Sequence, residues 1–491
     1  MSPPPGGRSS RDRHTRLFQG ESPTEPMPMA DLLRRTPYRP TIPGEAAEDA
    51  AVRRGVDLAA RVGELMLRCG AGAPQVEGSV AAVAAAAGVD VLEVDITLQS
   101  LLLQATSSEG RQHTLLRVVR RSRLDYGRLV AVHRLVASLV AGEVTAVEAA
   151  DRLREIKRHP RNYSVAAVSV ASAFLAAAVA VMIGATAFAA LVTVGVVLVV
   201  AGVNRLHARI GLPEFYGNAI NAFVATLLAG AAFALGAVGW VPLSARDFAF
   251  IVAGGIVAML PGRTMASAIE DVLFGYPLTG AGRLLSVVLA LTGLIIGIAT
   301  GLSVLLTITE MTDGSFVSPS VLDLTSTQAN IAAAVGGALV VGLAGAVTVQ
   351  SMRHLVLPVG VLSVLAASVY ALLTRSIGVG PILASGVAAV VLGLVGALLA
   401  QRLRTPSMVL VVPGSFALLP GLTIFRGLYE LVVSASDKGL LSIQSGITTL
   451  LGAFAVLLAI ATGTVFGDVL ASPWDRRQRG SAPAEETPTP G

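Results

Sequence analysis

Two stretches of this chain place helix-breaking residues inside strongly apolar surroundings. Residues 250–262 read FIVAGGIVAMLPG and residues 409–421 read VLVVPGSFALLPG. Aligning Pro261 with Pro420 brings Gly255 onto Gly414, Gly262 onto Gly421 and Thr264 onto Thr423. Proline has no N–H to give a helix, and glycine tolerates the unwound backbone that follows. Such breaks free backbone N–H and C=O groups, and the exposed helix ends carry partial charges. The pair suits a small molecule with a charged group at each end, and an amino acid has one carboxylate and one ammonium. The candidates for a substrate pathway are Gly255, Pro261, Gly262, Arg263 and Thr264 in the first break, and Gly414, Ser415, Pro420 and Gly421 in the second. The plainer reading is that each LPG only caps a helix at the membrane surface.

Ionisable residues flank the first break. Arg263 could clamp a carboxylate or pair with an acid, and Asp271, with Glu270 beside it, is the candidate for a proton-carrying carboxylate. The alternative places all three in a loop facing water. Asn218 and Asn221 join the pathway candidates, although at helix starts they also suit caps or interhelical hydrogen bonds, as do Gln328, Asn330 and Gln444. Ser169, Ser172, Thr186, Ser303 and Thr307 read as small packing residues, and Gly393 and Gly396 as close-packing positions. The histidines are scattered without metal-ligand spacing, so neither a zinc site, nor a phosphate-binding loop, nor any cofactor is expected. Arg117, Arg120, Arg121 and Arg123 read as a basic solvated face or a contact with anionic headgroups, with a regulatory ligand site as the sharper alternative. Cys69 has no neighbouring base and reads as a buried small residue.

The elements that must hold these residues follow from composition. The chain has 491 residues, 53% of them hydrophobic and only 14% charged, a composition far from that of soluble domains. After residue 160, runs of roughly 20 apolar residues follow one another, the length a ~30 Å hydrocarbon core requires. The reading is an α-helical polytopic membrane protein with the lipid bilayer as a partner. The formal charge of +5 lies largely in tails and short loops, which fits membrane orientation rather than nucleic-acid binding. A single cysteine excludes an intramolecular disulfide. The first residues lack an apolar core, so no cleavable signal peptide is expected.

Residues 1–45 read as a disordered tail. Residues 46–160 read as a small cytoplasmic α+β domain: helices at 47–68 and 75–87, strands at 92–97, 101–105 and 114–119, then helices at 128–141 and 145–158. About ten spans follow, with a turn at Gly184 and a fourth, short span at 247–262. Arg205, Arg209, Arg263, Arg283, Arg353, Arg402 and Arg404 fall in loops on one side, while the 309–328 loop has no Lys or Arg. This asymmetry puts both termini in the cytoplasm of a multi-pass protein of the cytoplasmic (inner) membrane. Residues 163–310 and 328–472 form two five-helix units, and an odd number of spans makes them inverted repeats. Residues 473–491 read as a disordered C-terminal tail.

Four segments together resemble the threonine/serine exporter family: DLAARVGELMLRCGAGAPQVE (57–77), EVDIT (93–97), RVVRRSRLDYGRL (117–129) and AGGIVAMLPGRTMASAIEDVLFGYPLTGAGR (253–283). The likeness runs in order over most of residues 40–470. It implies a secondary transporter that exports L-threonine and L-serine, driven by the proton-motive force, by alternating access. It also puts the family's LPGR at Leu260–Arg263 and its acidic position at Asp271. Cys69 stands where the resemblance leads one to expect a small residue such as serine. The competing readings are a membrane-anchored enzyme with its active site in residues 46–160, and an importer of other small metabolites on the same fold. Direction of flux, coupling ion and any homo-oligomer are not fixed by the sequence.

Overall fold

The computed structural model describes residues 47–106, 110–119, 123–257, 259–311, 330–436 and 440–480. The leading segment opens with α1 (Ala47–Cys69) and α2 (Ala73–Ala86), continues through β1 (Val91–Thr97), β2 (Ser100–Thr106) and β3 (Gln112–Val118), and ends with α3 (Tyr126–Val140) and α4 (Ala146–Arg158). Helical spacing in α1 buries Val56, Ala59, Ala60 and Met66. Its wet side carries the Asp57–Arg61 pair at 2.6 Å and the Glu64–Arg68 pair at 3.3 Å, both four residues apart. The strands form an antiparallel meander in which Val94 faces Leu103 and Leu103 faces Leu115. Period-two alternation turns Leu101, Leu103 and Ala105 of β2 into the core. Side-chain caps start the last two helices: Asp125 accepts from the Arg128 N–H, and Thr145 from the Glu148 N–H.

The apolar part comprises α5 (Val165–Met182), α6 (Ala187–Ile210), α7 (Glu214–Ala237), α8 (Ala245–Val257), α9 (Gly262–Leu273) and α10 (Pro277–Met311), then α11 (Ile331–Thr348), α12 (Arg353–Leu372), α13 (Pro381–Leu403), α14 (Met408–Gly414), α15 (Gly421–Ser436) and α16 (Leu440–Gly480). A π turn, Leu373–Ile377, closes α12, and one 3₁₀ turn, Ser415–Leu418, continues α14. Gly184 makes the tight turn between α5 and α6 with φ +109°, a conformation that a side chain would oppose.

Among the described residues, eight helices are long and apolar enough to cross a membrane, or nine if the bent pair at 408–427 counts as one span. This differs from the ten spans expected. The fourth expected span is α8, whose 13 residues rise only ~20 Å, and the amphipathic α9 follows it after a break. The protein is nonetheless predominantly helical and polytopic.

The two halves pack alike. α5 pairs with α6 as α11 pairs with α12, and α7 lies along α10 as α13 lies along α16. α8 packs on α5 as α14 packs on α11; α9 packs on α10 as α15 packs on α16; α5 and α11 pack on each other. Small residues permit this closeness. A Cβ at Gly297 would lie 2.1 Å from the Ala219 carbonyl oxygen, and one at Gly393 would lie 2.3 Å from that of Thr464. Residues 1–46, 312–329 and 481–491 lie outside the described residues, and α16 runs on to Gly480. Arg120 and Arg121 are likewise outside them.

Candidate functional site

Both LPG sequences break helices. α8 ends at Val257, and α9 starts at Gly262 behind an N-cap Pro261 that offers no side-chain cap. α14 and its 3₁₀ turn end at Leu418, α15 starts at Gly421, and the axis bends by 50° between them. The first N–H groups of α9 and α15 have no acceptor within their own helices, but Gly421 N donates to the Leu419 carbonyl at 2.9 Å. The last carbonyls of α8 accept from Met259 N at 2.8 Å and Leu260 N at 3.3 Å, and those of α14 accept from the Ser415 N–H.

The structure brings the two breaks together, reciprocally. A Cβ added to Gly262 would lie 3.0 Å from Leu419 Cδ2, and one added to Gly421 would lie 2.0 Å from Val257 Cγ2. Residues more than 150 positions apart are thus in direct contact, each break's glycine seated on the other's apolar flank. Beside this crossing lies a cavity of about 200 Å³, below the ~300–1,000 Å³ of drug-sized sites and suited to a smaller molecule. Val257, Leu260 and Gly262 line it from the first break, and Phe416 and Leu419 from the second. α5 contributes Val168, Ser172 and Leu175, and α11 contributes Thr348. The Ser172 hydroxyl donates to the Val168 carbonyl at 2.9 Å and the Thr348 hydroxyl to Gly345 at 2.7 Å, so both oxygens keep lone pairs to offer. Apolar side chains enclose the chamber, but much of the surface it exposes is polar, with two hydroxyls among its lining.

Of the pathway candidates, Gly262 lines the cavity. Pro261 and Thr264 sit beside it at the start of α9, and Pro420 and Gly421 at the start of α15. Gly255 is buried within α8, Gly414 packs against Leu392, and the Ser415 hydroxyl donates to the Val412 carbonyl at 2.8 Å. The side chain of Arg263 lies outside the described residues. Asn218 and Asn221 are elsewhere: both sit on α7, where Asn218 faces Gly293 of α10 and the Asn221 amide donates to Asn204 Oδ1 at 3.5 Å. Ser172 and Thr348 carried no signal that sets a cavity hydroxyl apart from a packing one, because such hydroxyls normally bond their own helix.

Asp271 is at the far end of α9, nine positions or ~14 Å along the axis from Gly262. Its carboxylate is fully buried. One oxygen accepts from the Ala73 N–H at 2.9 Å, and the other pairs with Arg283 Nη1 at 2.6 Å. Gly72 gives α2 no side-chain cap, so Asp271 caps that helix from across the molecule. The same junction holds Thr279, whose hydroxyl donates to the Ile96 carbonyl at 2.9 Å and accepts from Leu98 N at 3.0 Å. Tyr276 donates to Glu77 there as well. A second junction forms at Gln350. Its carbonyl accepts from Gly127 N at 3.0 Å, and its amide exchanges hydrogen bonds with Tyr163 N and O at 2.9 and 3.1 Å. The leading segment is therefore pinned to both helical halves. Arg283, Thr279 and Gln350 become visible as partners only in three dimensions.

Cys69 is buried, and that burial pushes its thiol up from 9.0 to about 12, which disables it as a nucleophile at neutral pH.

Comparison with known proteins shows the family. Residues 57–305 match the family described as "Putative threonine/serine exporter", and residues 332–470 match "Threonine/Serine exporter, ThrE". The two matches part between the helical halves. The "Probable threonine/serine exporter" of Mycobacterium tuberculosis is 29% identical over 456 residues, covering 91% of this chain and 81% of that protein. The "Threonine/serine exporter" of Corynebacterium glutamicum is 28% identical over 437 residues, covering 89% and 86%. No solved structure matches. With both halves matched in order, the chain belongs to the threonine/serine exporter family.

Proposed function

We propose that this protein exports L-threonine and L-serine across the cytoplasmic membrane, driven by the proton-motive force, by alternating access between two inverted repeats. The observation that carries the reading is the reciprocal crossing of the two broken helices beside a ~200 Å³ cavity. The substrate carboxylate lies at the N-terminal ends of α9 and α15, where the helix dipoles favour negative charge. Its ammonium faces the terminal carbonyls of α8 and α14, each of which keeps a second lone pair beside the bond it accepts across the break. Its hydroxyl meets Ser172 or Thr348, and the methyl of threonine meets the apolar wall of Val257, Leu260 and Phe416.

Parity supports this topology. Tyr163, Tyr276, Gln350 and Leu403 each contact the leading segment or its link to α5. Consecutive contacts on one side of a membrane must be separated by an even number of crossings. Between Tyr163 and Tyr276 lie α5, α6, α7 and the broken pair α8–α9, so the pair counts as one crossing. The total becomes ten, five per repeat, and the second repeat starts from the opposite side. The loop arginines support placing the leading segment and both termini in the cytoplasm. The cavity then lies toward the cytoplasmic ends of α5 and α11, where an exported substrate loads.

Asp271 is the proposed coupling carboxylate. Protonation removes the charge opposite Arg283 and weakens its hold on Ala73 N, loosening the first junction as the halves rock. Counterflow of radiolabelled threonine into proteoliposomes, with and without a pH gradient, tests the function. Saturable counterflow and gradient-driven accumulation are expected. Absence of counterflow overturns the substrate assignment, and efflux indifferent to the gradient overturns the coupling.

A further inference from the structure

The leading segment holds a second cavity, of about 260 Å³, separate from the membrane chamber. Its walls bring cations from three elements to one place: Arg61 and Arg68 on α1, Arg117 on β3, and Arg154 and Lys157 on α4. No single helix face produces this cluster; the packing of α4 and the sheet edge against α1 does. Carboxylates answer only part of the charge. Asp57 holds Arg61 with one oxygen and Arg117 with the other, each at 2.6 Å. Glu64 pairs with Arg68 at 3.3 Å, and Asp151 pairs with Arg154. Five cations thus face three carboxylates, and Lys157 has no carboxylate partner among the described residues. Arg117 Nε is also buried with no hydrogen-bond partner among them. The shared Asp57 fixes two guanidinium groups in place, which reduces the side-chain entropy an incoming anion must remove.

We propose that this cavity is a binding site for a phosphate-bearing small anion. A surplus of two positive charges matches a phosphate monoester dianion or a diphosphate, and planar guanidinium groups bind such oxygens in paired fashion. The phosphate can belong to a soluble molecule or to a lipid headgroup, because α4 leads through His159–Ser164 into α5. The site also borders the first junction: Arg68 lies in the last turn of α1, and Gly72 and Ala73 just beyond it sit against Glu270 and Asp271.

Calorimetric titration of the full chain in zwitterionic detergent with inorganic pyrophosphate tests the proposal. Wild type is expected to bind saturably. Arg117→Gln and Lys157→Gln should each raise the Kd about tenfold or more. Arg152→Gln, which removes a charge on α4 outside the cavity, paired with Glu148 at 2.7 Å, should leave it unchanged. Lys157→Gln, in the last turn of α4, carries the test alone if Arg117→Gln fails to fold. No saturable binding by wild type, or an equal loss in Arg152→Gln, overturns the site. Repeating the titration in phosphatidylcholine vesicles and in phosphatidylglycerol-rich vesicles assigns the source. Pyrophosphate binding lost only in the second identifies a headgroup as occupant, and binding kept in both identifies a soluble anion.

Discussion

The crossing of the two breaks makes an asymmetric prediction for one methyl group. At Gly421 an added Cβ meets Val257 Cγ2 at 2.0 Å, about 1.5 Å short of an ordinary carbon–carbon contact. Val257 is β-branched, closes α8 and is 4% exposed, so it cannot rotate away without leaving its rotamer. Overpacking of this kind costs ~1–3 kcal/mol, offset by up to ~1 kcal/mol because alanine suits a helix better than glycine. Gly421→Ala should therefore lose about 1–2 kcal/mol of stability. If the strain falls on the transport cycle instead, the counterflow rate should drop about tenfold. At Gly262 the methyl meets only the far end of the flexible, half-buried Leu419, at 3.0 Å. Gly262→Ala should stay within ~0.5 kcal/mol of wild type, since the helix preference of alanine balances a small shift of Leu419. Melting in detergent and threonine counterflow in proteoliposomes read both quantities. Val257→Ala in the Gly421→Ala background should restore part of the rate, because it removes the methyl group in the way. Equal behaviour of the two alanine variants, or a Gly262→Ala more damaging than Gly421→Ala, would refute the reciprocal packing.

Three further outcomes follow from the junction and the buried thiol. Asp271→Asn keeps an acceptor for Ala73 N but unpairs Arg283, and breaking such a buried pair costs ~3–5 kcal/mol when fully desolvated; with Arg283 21% exposed, the lower end applies. Gradient-driven efflux should disappear in Asp271→Asn while counterflow at equal pH persists, and wild-type efflux would remove Asp271 from the coupling. Thr279→Val strands Leu98 N and the Ile96 carbonyl at ~1–3 kcal/mol. Hydrogen exchange should quicken at the β1–β2 turn and not around Gln350, and unchanged exchange would show that Thr279 does not hold the first junction. Cys69 should resist maleimide at neutral pH until denaturant is added. Because its folded pKa of about 12 exceeds 9.0, its contribution is full below pH ~9 and is lost as pH rises from there toward 12; rapid labelling of the native protein would contradict its burial.

Much of this molecule is written locally. Strict alternation along residues 92–97 and 101–105 can bury one face only as strands, and helical spacing in residues 47–68 can bury one face only as a helix. Apolar runs of span length must satisfy their own backbone in lipid and so become helices. Pro261 and Pro420 favour breaks because neither has an N–H to contribute. Pro358 and Pro413 nonetheless sit inside helices, so the glycine that follows each LPG proline and the local packing also matter. The count of long spans was less legible, because α8 is apolar enough for a membrane and too short to cross it alone. What tertiary structure decided is who meets whom. Gly262 on Leu419, Gly421 on Val257, Ser172 and Thr348 in one chamber, Asp271 between Arg283 and Ala73, and Arg61 and Arg117 on one carboxylate all join residues far apart in the chain. Hydropathy and periodicity report how each residue relates to its neighbours in sequence, whereas a site is made of contacts whose energy appears only once the helices have packed.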